Sequence, residues 1–323
     1  PDSCRIDPDG LVYRKALMLR MNLIMTLTCL FLLASTGKAG AEDGYDPLFE
    51  SDALLHVEIE APFDMLADER PDEEEFPGKF RYTSDDGELV ELDIVLRTRG
   101  RLRRQRDVCS FPPLRLNFKK KQVDGTLFDK QDKLKLVSHC RNHDRSYEQA
   151  VIAEYLVYRM LNLLTDRSFR VRLLRTNYVF SDKNRNIDNY AILIEDKERL
   201  EKRLDAKATK TERIKISELQ PEDLNLASVF QYFIGNTDFS PIASVPDKDC
   251  CHNQVLLKRK EGLFLTVPYD FDQAGLVDAP HGITNPRFRL RDARERLYRG
   301  RCINNGYLES TLAVYADKRD EIF

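Results

Sequence analysis

The sequence predicts an α+β fold of two lobes, on three observations. Short alternating apolar runs fill the first half, and one long helix-period run interrupts them near residue 145. The second half then turns helical and charged around a single pair of strand-like runs. The expected division is a β-rich lobe with one long helix over residues 42–196 and a mainly helical lobe over residues 197–323. A ligand is expected in the cleft between them.

Each element follows from its local pattern. Ala53–Ala61 (ALLHVEIEA) alternates with period two, as a half-buried strand does. The acidic stretch Asp68–Glu75 reads as a loop. Gly87–Leu96, Leu114–Phe118 and Lys133–Val137 are three more strands. A helix starts at Asp144 or Ser146, either of which can cap it, with Glu148 in its first turn. Ala150, Val151, Tyr155, Val157, Leu161 and Leu164 recur along it at helical spacing. Arg170–Phe180 and Asn189–Glu195 return to strand across a polar turn. Glu198–Leu204 reads as a solvated helix and Ala206–Lys215 as a surface loop. Pro221, followed by Glu222 and Asp223, opens a helix through Leu226, Val229, Phe230 and Phe233. Gln254–Lys258 and Leu263–Tyr269 form the strand pair, and a last helix begins at Tyr307.

Charged residues make up 33% of the 323-residue chain, yet the net charge is only -3, which argues against a nucleic-acid binder. The charge is uneven. Asp68–Glu75 is acidic, whereas Arg97–Arg106, Lys119–Lys121 and Arg287–Gly300 are basic; solvated loops are the plain structural reading. Leu23–Ala34 is an apolar run behind Arg20, with Ala39-Gly40-Ala41 as a cleavage-like site. Residues 1–41 therefore read as an upstream extension and secretory signal. The expected location is secreted, periplasmic or a secretory lumen, with no stable membrane span after cleavage. Beyond that signal stand Cys109, Cys140, Cys250, Cys251 and Cys302, an odd number that leaves one thiol over. Adjacent Cys250 and Cys251 are expected to pair with distant partners more readily than with each other. No second spaced ligand pair accompanies Cys250-Cys251-His252, so a zinc site is not expected.

The most informative stretch is Val229–Gly275. An apolar helix ends in Gly235-Asn236-Thr237-Asp238, Asn253 follows in a loop, and the strand pair delivers Asp270 and Asp272. In phosphoryl transfer one Asp orients the accepting hydroxyl, while an Asn and another Asp hold Mg²⁺ against the phosphates. There is no G-x-S-x-G elbow, no Walker sequence and no triad-like company for His139, His143 or His281.

From about Leu92 to Gly275 the chain resembles the spore-coat CotH family of atypical, protein-kinase-like proteins. The residues that carry the likeness are Val95-Leu96-Arg97-Thr98-Arg99-Gly100, Leu114–Lys121, Leu134–Val137, Asp144-Arg145-Ser146, Ala150–Leu163 and Ile192-Leu193-Ile194-Glu195. To these are added Gly235-Asn236-Thr237-Asp238, His252-Asn253 and Pro268-Tyr269-Asp270-Phe271-Asp272. The resemblance implies a bilobal protein-kinase-like fold and phosphorylation of protein substrates that depends on ATP and Mg²⁺ or Mn²⁺. It implies Asp238 as the catalytic residue and Asp270, Asn253 and Asp272 as metal ligands. Lys135 or Arg99 would meet the phosphates, Glu195 would lie near the adenine, and Glu148 or Glu154 would orient the cation. The chain departs from the family in a long stretch between Asp238 and Asn253, in Pro112-Pro113 where a Lys is usual, and in Arg101-Leu102-Arg103 after Arg-Gly.

Each of these residues also has a structural reading. Asp238 can close a turn, Lys135 can face solvent, Glu148 suits a first helical turn, and Asn253 can satisfy loop backbone. A second function class stays open on the same residues: a secreted binding, adhesion or coat protein without catalysis. Transfer of AMP in place of phosphate is a third. A metal-dependent phosphohydrolase is disfavoured by the scarcity of clustered His and Asp.

Overall fold

The computed structural model describes residues 46–245 and 248–323; the upstream extension and signal, residues 1–41, lie outside them. Seven strands form a closed barrel: β1 (Leu55–Ala61), β2 (Phe76–Thr83), β3 (Leu89–Thr98), β4 (Leu114–Phe118), β5 (Lys133–Val137), β6 (Val171–Phe180) and β7 (Arg185–Ile194). Their order around the barrel is β1-β2-β3-β4-β5-β7-β6. All neighbours are antiparallel except β1 and β6, which pair in parallel from Leu55 opposite Leu174 to Ala61 opposite Phe180 and shut the ring.

Period-two alternation turns one side of each strand inward. β1 contributes Leu55, Val57, Ile59 and Ala61, β4 contributes Leu114, Leu116 and Phe118, and β5 contributes Leu134 and Leu136. Phe80, Phe118 and Phe128 meet with ring centroids 4.9–5.5 Å apart. The barrel interior is thus a packed core. Gly78 on β2 is required by proximity: a Cβ there would stand 2.7 Å from both the Glu60 carbonyl and a Leu96 methyl.

The short helices α1 (Pro47–Glu50), α2 (Phe63–Glu69) and α3 (Lys120–Val123) lie between barrel strands or before them. The long helix α4 (Arg145–Leu164) separates β5 from β6. Asp144 caps it, its carboxylate accepting the Ser146 N–H at 3.0 Å. Its buried stripe includes Val151, Tyr155, Tyr158 and Leu161, and joins Val171, Ile192 and Ile194 of the barrel wall in a second core. The rest of the chain adds α5 (Lys197–Arg203), β8 (Lys207–Ala208), α6 (Pro221–Phe233), β9 (Gln254–Lys258), β10 (Leu265–Pro268), α7 (Leu308–Asp317) and α8 (Arg319–Ile322). β10, β9 and β8 make a three-stranded sheet. Phe230 of α6, Leu257 of β9 and Val267 of β10 enter the same core as the α4 stripe.

The expected bilobal protein-kinase-like fold with a helical second lobe is corrected by this architecture. The first half closes into a seven-stranded barrel, and the second half carries a sheet of its own. The decisive element is β2. The sequence reading passed over Phe76–Thr83 as the sequel of an acidic loop, although Phe80 and Tyr82 alternate inward. With β2 and the β1–β6 pairing in place, no edge is left for an open sheet.

The cysteine expectations are corrected too. Cys250 and Cys251 are joined to each other across a cis peptide bond, and Cys302 is also disulfide-bonded, so no thiol is left over among the five. A trans peptide would hold adjacent Cα atoms about 3.8 Å apart, whereas these stand 2.9 Å apart. Cys109 and Cys140, with Cα atoms 4.6 Å apart, tie the loop after β3 to the loop before α4. No described helix is long and apolar enough to cross a membrane.

Candidate functional site

Four segments bring the charged residues together. The loop after β3 supplies Arg99 and Arg103, β5 supplies Lys135, α4 supplies Glu154 and Tyr158, and the turn after β10 supplies Asp270 and Asp272. Glu154 and Tyr158 are four residues apart and so share one face of α4. The phenol oxygen of Tyr158 accepts the Asp270 N–H at 2.9 Å, which fixes the start of the acidic turn against the helix. The same turn is clipped to the end of α6: Gly275 donates to the Gly235 carbonyl at 3.1 Å and Leu276 to the Ile234 carbonyl at 2.9 Å. A Cβ on Gly275 would stand 2.7 Å from the Arg294 Cα, so this approach needs glycine.

Arg103 is the hub. Its side chain is 8% exposed, and it reaches Asp272 at 3.2 Å, Glu154 at 3.6 Å and Asp270 at 3.7 Å. His281 Nε2 lies 3.1 Å from the other side of the network, at Asp272 Oδ2. Burial alone would raise the Asp272 carboxyl, but Arg103 and His281 outweigh it and hold it down at about 2. Glu154, 2% exposed, is pushed the other way by burial and by Asp272 and Asp270. Asp270 is raised by its low-dielectric surroundings and by Asp272, against Arg103, Arg99 and Lys135, although 40% of its side chain remains open. Three carboxylates around one guanidinium cannot all ionise freely, and the deepest one retains its proton most strongly.

Arg99 and Lys135 face Asp270 from the barrel side. Arg99 makes no side-chain hydrogen bond or ion pair among the described residues; burial and Arg103 lower its affinity for its proton, and Asp270 partly restores it. The Lys135 ammonium lies 5.4 Å from the ring centre of Tyr269 and 5.8 Å from that of Phe169, again without a salt bridge. Burial and then Arg99 bring it down to about 8. Two neighbouring, half-buried cations with no ion pair among the described residues suit a polyanionic ligand.

Asp238 lies at a second focus, on the loop after α6. His252 Nε2 is 2.8 Å from Asp238 Oδ1, and Asn253 Nδ2 donates to Asp238 Oδ2 at 3.0 Å and to its carbonyl at 2.7 Å. That carboxylate raises His252 chiefly through this hydrogen bond, with burial opposing. The Asn253 carbonyl accepts the Tyr269 N–H at 3.1 Å, linking this focus to the Asp270 turn. Asn253 Oδ1 accepts no hydrogen bond among the described residues. Asn253 and Asp270 both adopt left-handed backbone, φ +53° and +62°, a conformation that non-glycine residues adopt mostly at turns and functional sites.

The structure therefore gathers Asp238, Asn253, Asp270, Asp272, Arg99 and Lys135. It does not bring in the carboxylates of Glu148 and Glu195. Glu148 pairs with Arg175 at 2.7 Å. Glu195, 1% exposed, is held by Arg203 at 2.9 Å and accepts the Arg170 N–H at 3.0 Å, which pins the end of β7 to α5. Among the described residues no group of three or more His, Cys, Asp or Glu side chains is arranged to hold a metal. Arg103, Tyr158 and His281 are the partners that the sequence reading missed. Arg103 had a visible signal, as an arginine in a cluster after β3; Tyr158 becomes a partner only through long-range packing, and His281 through the fold of the nine residues that follow Asp272. No protein-family model matches the chain, and no curated protein matches it either.

Proposed function

We propose that this cluster binds the phosphates of a nucleoside triphosphate together with a divalent cation and transfers the terminal phosphoryl group to a hydroxyl of an acceptor protein. The observation that carries the reading is the pair of half-buried cations, Arg99 and Lys135, which make no ion pair among the described residues and lie near enough to Asp270 for its charge to act on both. Asp270 and the Asn253 amide oxygen fit Mg²⁺ or Mn²⁺, because Mg²⁺ characteristically takes only one or two protein carboxylates and completes its shell with phosphates and water. Asp272 fits less well, since Arg103 and His281 already hold its Oδ2. When bound, the cation would neutralise charge on the phosphates.

The protein's own residues then have distinct tasks. Lys135 and Arg99 hold the phosphates, and Arg103 fixes the acidic turn from behind. Asp238 orients the acceptor hydroxyl and takes its proton while the oxygen attacks phosphorus. The bond to the bridging oxygen breaks, and the nucleoside diphosphate leaves. Positioning and charge compensation supply the rate. The Cys109–Cys140 disulfide supports placing this chemistry in an oxidising, exported compartment.

Incubation of the full chain with ATP, Mn²⁺ and a mixture of candidate acceptor proteins, followed by intact-mass analysis, tests the reading. The expected product carries one added phosphate, lost with Asp238→Ala. Addition of AMP would replace phosphoryl transfer by nucleotidyl transfer, and no product with any acceptor or with the chain itself would overturn the catalytic reading.

A further inference from the structure

The segment Arg287–Arg301 holds seven arginines, two acidic residues and no lysine. Some of these arginines have structural partners. Arg291 pairs with Glu295, Arg294 lies 3.9 Å from both Asp278 and Asp292, and Arg296 donates to the Phe233 carbonyl at 3.1 Å. Arg299 locks the segment onto the Asp238 loop. Its guanidinium donates to the carbonyls of Thr237 at 2.7 Å and Phe239 at 2.6 Å, on either side of Asp238. It also lies between the rings of Phe239 and Phe288, 4.6 and 4.5 Å from their centres. Phe288 is flanked by Arg287 and Arg289, and Arg301 is close enough to Arg299 to lower its proton affinity.

Arg287, Arg289 and Arg301 are exposed and have no side-chain hydrogen bond or ion pair among the described residues. They are attached through Arg299 and Phe288 to the loop that presents Asp238. Exclusive use of arginine suits planar anions, which its forked guanidinium meets with two parallel hydrogen bonds.

From this placement we infer that Arg287, Arg289 and Arg301 form the acceptor-docking surface of the site and take an acidic polypeptide segment, one whose hydroxyl-bearing residue is flanked by carboxylates. The inference rests on the phosphotransfer reading only for the fate of that hydroxyl; docking itself needs neither nucleotide nor Asp270. The surface gives the site a direction: the acceptor enters from the Asp238 side, whereas the nucleotide is held from the Arg99 and Lys135 side.

Fluorescence polarisation with the full chain tests this, using three labelled serine peptides flanked by Glu/Asp, by Ala or by Lys. The acidic peptide is expected to bind about tenfold tighter than the neutral one, as three exposed ion pairs of two- to threefold each give. That preference should weaken with salt and vanish in the triple variant R287E/R289E/R301E. Asp270→Ala should leave it unchanged. Because the three side chains are exposed and make no ion pair among the described residues, the variant should retain the native melting temperature, and a double variant R287E/R289E serves if it does not. No acidic preference, or a preference that survives charge reversal, overturns the surface. Tighter binding of a single-stranded oligonucleotide than of the acidic peptide overturns the partner class. An acidic preference that persists in a protein whose melting temperature does not respond to Mg-ATP would sink the phosphotransfer reading while leaving peptide docking intact.

Discussion

Removing Arg103 is the sharpest test of how the site is held together. Its guanidinium faces three carboxylates at 3.2–3.7 Å, two of which, Glu154 and Asp272, are almost fully enclosed. An Arg103→Leu substitution preserves much of the bulk but leaves the ionised, enclosed Asp272 with only His281 beside it. Breaking a buried ion pair from one side costs about 3–5 kcal/mol. At about 2 °C per kcal/mol for a domain of this size, the melting temperature should fall by about 6–10 °C. Thermal unfolding followed by circular dichroism provides the measurement. Neutralising the stranded carboxylate with Asp272→Asn on top of Arg103→Leu should recover part of the loss, because an amide is far cheaper to bury than an unpaired carboxylate. A fall below about 2 °C for Arg103→Leu, equivalent to about 1 kcal/mol, would refute the argument that this one cation organises the cluster.

Other consequences concern titration and reactivity. Glu154 has a raised folded pKa, so it destabilises the fold as pH rises above its unfolded value near 4.5; Glu154→Gln should flatten that part of the stability–pH curve, and an unchanged slope would contradict the assignment. Asp272 is depressed to about 2 and therefore contributes stability above about pH 4 that is lost as the pH falls toward 2; Asp272→Asn should remove this acid-side loss in urea titrations across that window. Lys135, brought down to about 8, should be among the fastest lysines to acylate at pH 8, and Mg-ATP should protect it; peptide mapping after limited labelling would show whether it does. Asp238→Ala should spare nucleotide binding and reduce turnover by about 10²–10⁴, the range for loss of a general base, read from initial rates at saturating nucleotide.

Much of the local structure was legible because it depends on nearest neighbours. Leu114–Phe118 and Lys133–Val137 are strands at the predicted bounds, and Asp144 caps α4 as its position suggested. The barrel was not legible. Its closure depends on β1 meeting β6 across more than a hundred residues, a pairing that alternation within either strand does not encode. The Phe76–Thr83 strand follows directly on the acidic Asp68–Glu75 stretch and contains Pro77 and Gly78, residues that weaken a strand pattern, although Gly78 is needed for close packing. Order and spacing singled out Asp238, Asn253 and Asp270, and the structure places Asn253 against both Asp238 and the backbone next to Asp270. Spacing along α4 left Glu148 and Glu154 as alternatives; Glu154 stands on the buried face of the helix, whereas Glu148 reaches Arg175. His281 was passed over because its partner, Asp272, belongs to another turn.

Thermal stability of the full chain with ATP, in the presence and absence of Mg²⁺, addresses the central claim most directly. A nucleotide at a hundred times its dissociation constant stabilises the folded state by about 2.7 kcal/mol, which corresponds to a rise of about 5 °C for a domain of this size. That rise is expected only with the divalent cation, and is expected to be lost in Asp270→Ala and in Lys135→Ala. An unchanged melting temperature in the folded native protein, or a shift of equal size in Asp270→Ala, would contradict the claim.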